Sequence, residues 1–120
     1  MGFFSRLFGP GVSSVDATEA DALVKGGALL VDVREPREWD AGHAPKARHV
    51  PLGQLHASMG KLPADRTLVV VCRSGNRSGR ATKVLVRAGY DAVNMSGGMH
   101  GWKAAGLPLV NRKGKRGTIA

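Results

Sequence analysis

The residues that could carry chemistry are concentrated around Cys72, the only cysteine in the chain. We call residues 72–78 the Cys loop: Cys72, Arg73, Ser74, Gly75, Asn76, Arg77 and Ser78. Gly75 and Asn76 tolerate left-handed backbone conformations, so we expect the loop N–H groups to turn inward and bind anionic sulfur. The dipole of a following helix and the charges of Arg73 and Arg77 should lower the pKa of the Cys72 thiol. A reactive thiolate, usable as a nucleophile, is the predicted result.

The flanking sequence predicts how the Cys loop is positioned. Residues 67–72 form an apolar, β-branched run without alternation, which is typical of a strand buried on both faces of a parallel sheet. Residues 78–88 form a helical window that ends at Gly89. Sites in parallel sheets form where strand ends lead into helix starts, and Cys72 occupies that place. A free cysteine at a strand end is often only an apolar filler, but an inert thiol needs neither the arginines nor the glycine loop.

The remaining elements alternate between strands and helices. Asp16 and Glu19 have the spacing of a capping box, which predicts a first helix over residues 17–25. Further strands are predicted at 28–33, 48–50 and 92–95, and further helices near 36–41, 54–60 and 98–105. Gly97 and Gly98 should permit a tight entry into the last helix. The alternation predicts an α/β domain with a mostly parallel sheet between helices.

Composition and charge limit the classes of function. The chain has 120 residues, enough for one domain, and a net charge of +9. The excess lies in residues 72–87, around the cysteine, and in residues 112–116. Because aromatic residues make up only 5%, a small anionic substrate explains the first cluster better than nucleic acid. A lone cysteine can form no internal disulfide, which favours a reduced, cytoplasmic setting.

The two ends differ from the central domain predicted at residues 14–110. Residues 1–13 form an apolar arm that lacks the features of a signal peptide or membrane span. Residues 1–10 could make a weak membrane or protein contact. Residues 111–120 are predicted to be a loose basic tail.

The length of the Cys loop separates two kinds of anion chemistry. Arg77 stands five positions after Cys72, whereas the phosphatase pattern C-x5-R needs arginine at position 78, which is serine. A shorter loop suits a single terminal sulfur better than a phosphoryl group. Two alternatives stay open: a small-loop phosphatase or arsenate reductase, and a non-catalytic recruitment module that uses the two ends.

Four motifs in this order resemble the single-domain members of the rhodanese family. They are Val31-Asp32-Val33-Arg34-Glu35, residues 42–51 beginning Gly42-His43-Ala44-Pro45, Cys72 to Ser78, and Gly97-Gly98-Met99-His100-Gly101-Trp102. The resemblance covers residues 14–110 and implies a three-layer domain with a five-stranded, mostly parallel sheet between helices. It also implies a thiosulfate sulfurtransferase, in which Cys72 takes sulfane sulfur from a small anionic donor, holds it as a persulfide and passes it to cyanide or a thiol.

The resemblance also assigns roles to individual residues. Residues 73–78 would bind the substrate and the anionic sulfur, with Arg73 and Arg77 holding the donor and the departing sulfite. Asp32 and Arg34 would support the loop. The four histidines have no convincing ligand grouping, and His43 is assigned to packing within its motif, so no metal or cofactor is expected.

Overall fold

The computed structural model describes residues 6–7 and 12–120. The predicted apolar arm and its weak membrane or protein contact fall almost entirely outside these residues. The strands are β1 Arg6–Leu7, β2 Ser13–Val15, β3 Leu29–Asp32, β4 Arg48–His49, β5 Leu68–Val71 and β6 Ala92–Met95. The helices are α1 Ala17–Lys25, α2 Pro36–Ala41, α3 Leu55–Ser58, α4 Asn76–Arg87 and α5 Gly98–Ala104. Short 3₁₀ turns, Leu52–Gln54 and Met59–Lys61, flank α3.

The strands form one sheet in the order β1-β2-β6-β5-β3-β4. The five strands from β2 to β4 in this order pair in parallel, and the two-residue β1 adds an antiparallel edge to β2. The predicted five-stranded parallel sheet is therefore confirmed. Strands β1 and β2 were not predicted from the sequence.

The core lies on both faces of this sheet, as the apolar runs predict. Successive residues of β5 point to opposite faces: Leu68 and Val70 pack with one set of buried residues, Val69 and Val71 with the other. On one face α1 and α5 contribute Ala20 and Trp102. The opposite face is covered by α3 and α4, through residues such as Leu55, Ala81 and Leu85. The molecule is thus a three-layer α/β domain with β5 near the centre of its sheet.

Helix boundaries follow local chemistry. The capping box that begins α1 is present, since the Asp16 carboxylate accepts from the Glu19 N–H at 2.8 Å and Glu19 accepts from the Asp16 N–H at 2.9 Å. Helix α4 begins at Asn76, two residues before the predicted start. Gly75 precedes it with φ 112°, a conformation that glycine adopts without strain and that turns the chain into the helix early.

The predicted loose tail is ordered, which corrects the sequence-based expectation. Val110 bridges both His43 and Arg116, and the Gly117 N–H donates to the Leu109 carbonyl at 3.1 Å. The Thr118 N–H donates to the Ala41 carbonyl at 2.9 Å. Main chain lies so close to main chain here that a Cβ on Gly42 would overlap Thr118. Backbone hydrogen bonds, which need no particular side chain, hold residues 110–120 against the end of α2.

No helix in the described part of the chain combines the length and apolar character that crossing a membrane requires.

Candidate active site

Cys72 directly follows β5, between the carboxyl ends of its neighbours β3 and β6. Its side chain packs with the buried apolar residues on the face of the sheet that α4 covers, and the residue is 1% exposed. The Cys72 carbonyl accepts a hydrogen bond from the Met99 N–H at 2.8 Å. The thiol therefore sits at the bottom of the Cys loop, fixed by strand, helix α4 and the start of α5.

Hydrogen-bond donors of the loop converge on the Cys72 sulfur. The Gly75 N–H donates to Sγ at 3.1 Å, and the Ser78 hydroxyl lies 3.3 Å from Sγ. Burial alone raises the pKa of the Cys72 thiol, but the hydrogen bonds from the Ser78 hydroxyl and from the N–H groups of Ser78, Gly75 and Ser74 outweigh it and lower the pKa. The loop thus stabilises a thiolate mainly with neutral donors.

Arg77 points at a partner that the sequence did not indicate. Its two terminal nitrogens donate to the two carboxylate oxygens of Glu38 at 2.7 and 2.8 Å, and Glu38 is 6% exposed. Hydrogen bonding to Arg77 holds the pKa of Glu38 at about 2 despite burial. The same pairing raises the pKa of Arg77, to which the Cys72 thiolate contributes a smaller Coulombic effect. Most of the Arg77 charge is therefore compensated by Glu38, which corrects the expectation that Arg77 lowers the thiol pKa with its full charge.

Arg73, the other arginine of the loop, is exposed. Its Nε donates to the main-chain oxygen of Ala120 at 3.0 Å, while its carbonyl accepts from the His100 N–H at 3.2 Å. Ser74 and Asn76 are also exposed, at the rim of the loop. Arg73 is thus the loop cation that faces outward, and the C-terminal segment reaches it.

Asp32 and Arg34 form a buried ion pair at the end of β3. Both residues are 0% exposed, and the Arg34 Nε and Nη2 donate to the Asp32 carboxylate at 2.8–3.1 Å. The remaining donors of Arg34 reach the carbonyls of Gly42 at 2.7 Å and Glu38 at 3.3 Å. The pair therefore fixes α2, and through α2 it positions the carboxylate that holds Arg77.

Asn94 is a further residue of the site that sequence reasoning missed. Its Oδ1 accepts from the Ser78 hydroxyl at 2.6 Å, and its Nδ2 donates to the Gly75 carbonyl at 3.3 Å. The sequence did contain a signal, because Asn94 is the one polar residue in the otherwise apolar strand β6. A polar side chain buried in such a strand needs a hydrogen-bond partner. Asn94 therefore contacts both residues, Gly75 and Ser78, whose donors reach the thiol.

Gly98 contacts the loop from the other side. It has φ 56°, and a Cβ at this position would overlap the main chain of Cys72 and Arg73. The predicted tight entry into α5 is thus present, and its consequence is that α5 begins in direct contact with the Cys loop.

The histidines of the second motif pack with Trp39. The Trp39 ring stacks on His43 with centroids 3.6 Å apart and on His49 with centroids 4.7 Å apart. Each histidine also has a nitrogen 2.7 Å from a main-chain carbonyl, that of Trp39 for His43 and that of Arg34 for His49. These contacts connect the motif to the ion pair that fixes α2.

Comparison with known proteins shows which family the chain resembles. The profile of the family described as Rhodanese-like domain matches residues 16–105. A protein named sulfurtransferase from Allochromatium vinosum is 41% identical over 87 residues, which cover 72% of this chain and 81% of that protein. An uncharacterized protein of Synechocystis is 42% identical over 86 residues, covering 71% of this chain but only 48% of its own length. The crystal structure of a rhodanese-related protein from Thermoplasma volcanium superposes with a TM-score of 0.77 at 31% identity, covering 81% of this chain and 96% of that one. The chain belongs to the Rhodanese-like domain family.

Proposed function

We propose that the protein is a sulfurtransferase that carries sulfane sulfur as a persulfide on Cys72. The observation that carries this proposal is the convergence of the Gly75 N–H and the Ser78 hydroxyl on a buried sulfur whose pKa is lowered. These donors suit an anionic sulfur atom, either the free thiolate or the terminal sulfur of a persulfide. Among the residues that the structure describes, the hydrogen-bond partners of the sulfur are neutral groups, so the anion is stabilised without a direct ion pair.

The first step is a displacement on a donor such as thiosulfate. The Cys72 thiolate attacks the outer sulfur, an S–S bond forms to Sγ, and the S–S bond of thiosulfate breaks with its electron pair leaving on sulfite. Thiosulfate and sulfite are both dianions, and Arg73 is the exposed cation of the loop. We therefore assign donor binding chiefly to Arg73, with Arg77, held by Glu38, adding a weaker field and fixing the loop.

The second step returns the enzyme to its starting state. A thiolate or cyanide attacks the terminal sulfur of the Cys72 persulfide, the new bond forms to that sulfur, and the Cys72 thiolate leaves. No external oxidant or reductant is needed, because each step only moves a sulfur atom between nucleophiles. Because the two substrates react in separate steps, ping-pong kinetics are expected.

Arg77 also argues against the phosphatase or arsenate reductase alternative. Both terminal nitrogens of Arg77 donate to Glu38, so Arg77 would have to give up this pairing to bind a phosphate or arsenate with them. The recruitment alternative, which needs no intact nucleophile, does not account for the donors around the Cys72 sulfur.

The test is steady-state turnover with thiosulfate and cyanide. Thiocyanate and sulfite should appear in equal amounts, and Cys72→Ser should remove both products while the fold, measured by circular dichroism, stays intact. The same preparations are given an aryl phosphate. Hydrolysis of the phosphate with no thiocyanate would replace the proposal with the phosphatase alternative, and no turnover of either would favour the recruitment module.

A further inference from the structure

Residues 111–116, which we call the basic turn, form an ordered loop with four cations. The Asn111 Oδ1 accepts from the N–H groups of Lys113 and Lys115 at 2.9 and 3.0 Å, and the Asn111 N–H donates to the Lys115 carbonyl at 2.7 Å. The exposed side chains around this frame are those of Arg112, Lys113, Lys115 and Arg116. The backbone is therefore fixed while the charges project into solvent.

The basic turn is held on α2, and the segment that follows it reaches the Cys loop. The Arg112 N–H donates to the Asp40 carbonyl at 3.0 Å, on the same short helix whose Glu38 holds Arg77. Further along, Thr118 binds the Ala41 carbonyl and the Ala120 oxygen accepts from Arg73. Two separate anchors, one on α2 and one on the Cys loop, thus place this segment at the edge of the candidate site.

The four cations have no ionic partner within residues 12–120. Holding like charges close together on an ordered turn raises the local positive potential, which attracts anions and speeds their association. A partner with acidic residues would relieve this repulsion and be oriented by it. The turn has no aromatic side chain for stacking on bases, which disfavours nucleic acid.

We propose that the basic turn docks an acidic protein that carries the acceptor thiol. This inference rests on the proposed sulfurtransferase function and names the kind of acceptor. Because Cys72 is 1% exposed at the bottom of its loop, the acceptor cysteine must come from a protruding or flexible segment of the partner. Docking beside the site holds that segment near the persulfide, so that transfer becomes effectively intramolecular.

The test compares two synthetic peptides, each with one cysteine, which differ only in whether the flanking residues are Asp and Glu or Ser and Gln. At low salt, protein loaded with thiosulfate should transfer sulfur to the acidic peptide with a kcat/KM at least about tenfold higher than to the neutral peptide. Added salt should remove this difference. The triple variant Arg112→Gln, Lys113→Gln, Lys115→Gln should lose the preference. Arg116 is kept because it lines a cleft with Leu107 and Leu109.

The matched control removes the same charge from the opposite layer of the domain. Lys61→Gln, Lys83→Gln, Arg87→Gln changes three exposed cations near α3 and on α4 and should keep the preference. Equal rates for the two peptides, or equal loss in both triple variants, would overturn the inference. The inference would also be overturned if the basic-turn variant kept its preference for the acidic peptide but lost binding to duplex DNA or to phosphatidylserine vesicles.

A failure of the proposed function is distinguishable from these outcomes. All proteins are also assayed for loading by thiosulfate and for transfer to dithiothreitol, an uncharged thiol. If loading or transfer to dithiothreitol is absent, the sulfurtransferase proposal itself is wrong. If both are normal and only the peptide preference is missing, the docking inference alone is wrong.

Discussion

Replacing Ser78 with alanine should raise the pKa of the Cys72 thiol. The Ser78 hydroxyl lies 3.3 Å from Sγ, and its hydrogen bond is the largest influence that lowers this pKa. A hydrogen bond to a charged group contributes about 1.5–3 kcal/mol, and one between neutral groups contributes about 1 kcal/mol. The hydroxyl has one hydrogen, and it must leave the Asn94 Oδ1 at 2.6 Å in order to serve the thiolate. The difference, about 0.5–2 kcal/mol, corresponds to a rise of roughly one pKa unit.

The assay is the rate of alkylation by iodoacetamide across a pH range, because only the thiolate reacts. The midpoint should move up by roughly one unit in Ser78→Ala. At pH values below the midpoint the rate should fall about three- to fourfold, since a tenfold loss of thiolate is offset by the greater nucleophilicity of a more basic sulfur. Ser78→Thr keeps the hydroxyl and is the matched control. An unchanged midpoint in Ser78→Ala, or the same shift in Ser78→Thr, would refute the assignment of the low pKa to this hydroxyl.

Three further predictions follow from the contacts of the site. Glu38→Gln should lower the free energy of unfolding by roughly 1–3 kcal/mol near neutral pH. The folded-state pKa of Glu38 is about 2 against an ordinary 4.5, so its contribution is complete above 4.5 and is lost as pH falls toward 2. Urea unfolding at several pH values should therefore give a flatter acid limb in the variant, and parallel curves would contradict this. Gly98→Ala should cost more than about 2 kcal/mol by chemical denaturation, because φ 56° and overlap with the Cys loop act together; Gly106→Ala, with φ 75° in open space, should cost only about 1 kcal/mol. Equal costs would show that the contact with the loop is unimportant. Arg73→Gln should raise the KM for thiosulfate about fivefold and leave the KM for cyanide unchanged, and an unchanged KM for thiosulfate would remove Arg73 from donor binding.

The sequence predicts best what is local or strongly patterned. The capping box of Asp16 and Glu19 marks the start of α1, and the unbroken apolar runs mark β3 and β5 because strands covered on both faces need apolar residues at every position. The placement of Cys72 at the end of a central strand follows from the same runs.

The sequence predicts poorly what depends on distant partners. Glu38 and Arg77 are 39 positions apart, so their pairing is visible only once α2 and α4 are folded against the sheet. Residues 111–120 contain Gly, Lys and Arg in a pattern typical of a loose tail, but they are held by main-chain hydrogen bonds and by the close approach of Gly42 to Thr118. Such contacts depend on backbone geometry and leave almost no signature in side-chain pattern.

The most direct test of a persulfide on Cys72 is the intact mass of the protein after treatment with thiosulfate and removal of excess donor. The account predicts a mass increase of one sulfur atom, located by peptide analysis on the fragment that contains Cys72, and its complete loss with stoichiometric thiocyanate when cyanide is added. An unchanged mass, or added sulfur that persists in Cys72→Ser, would contradict the central claim.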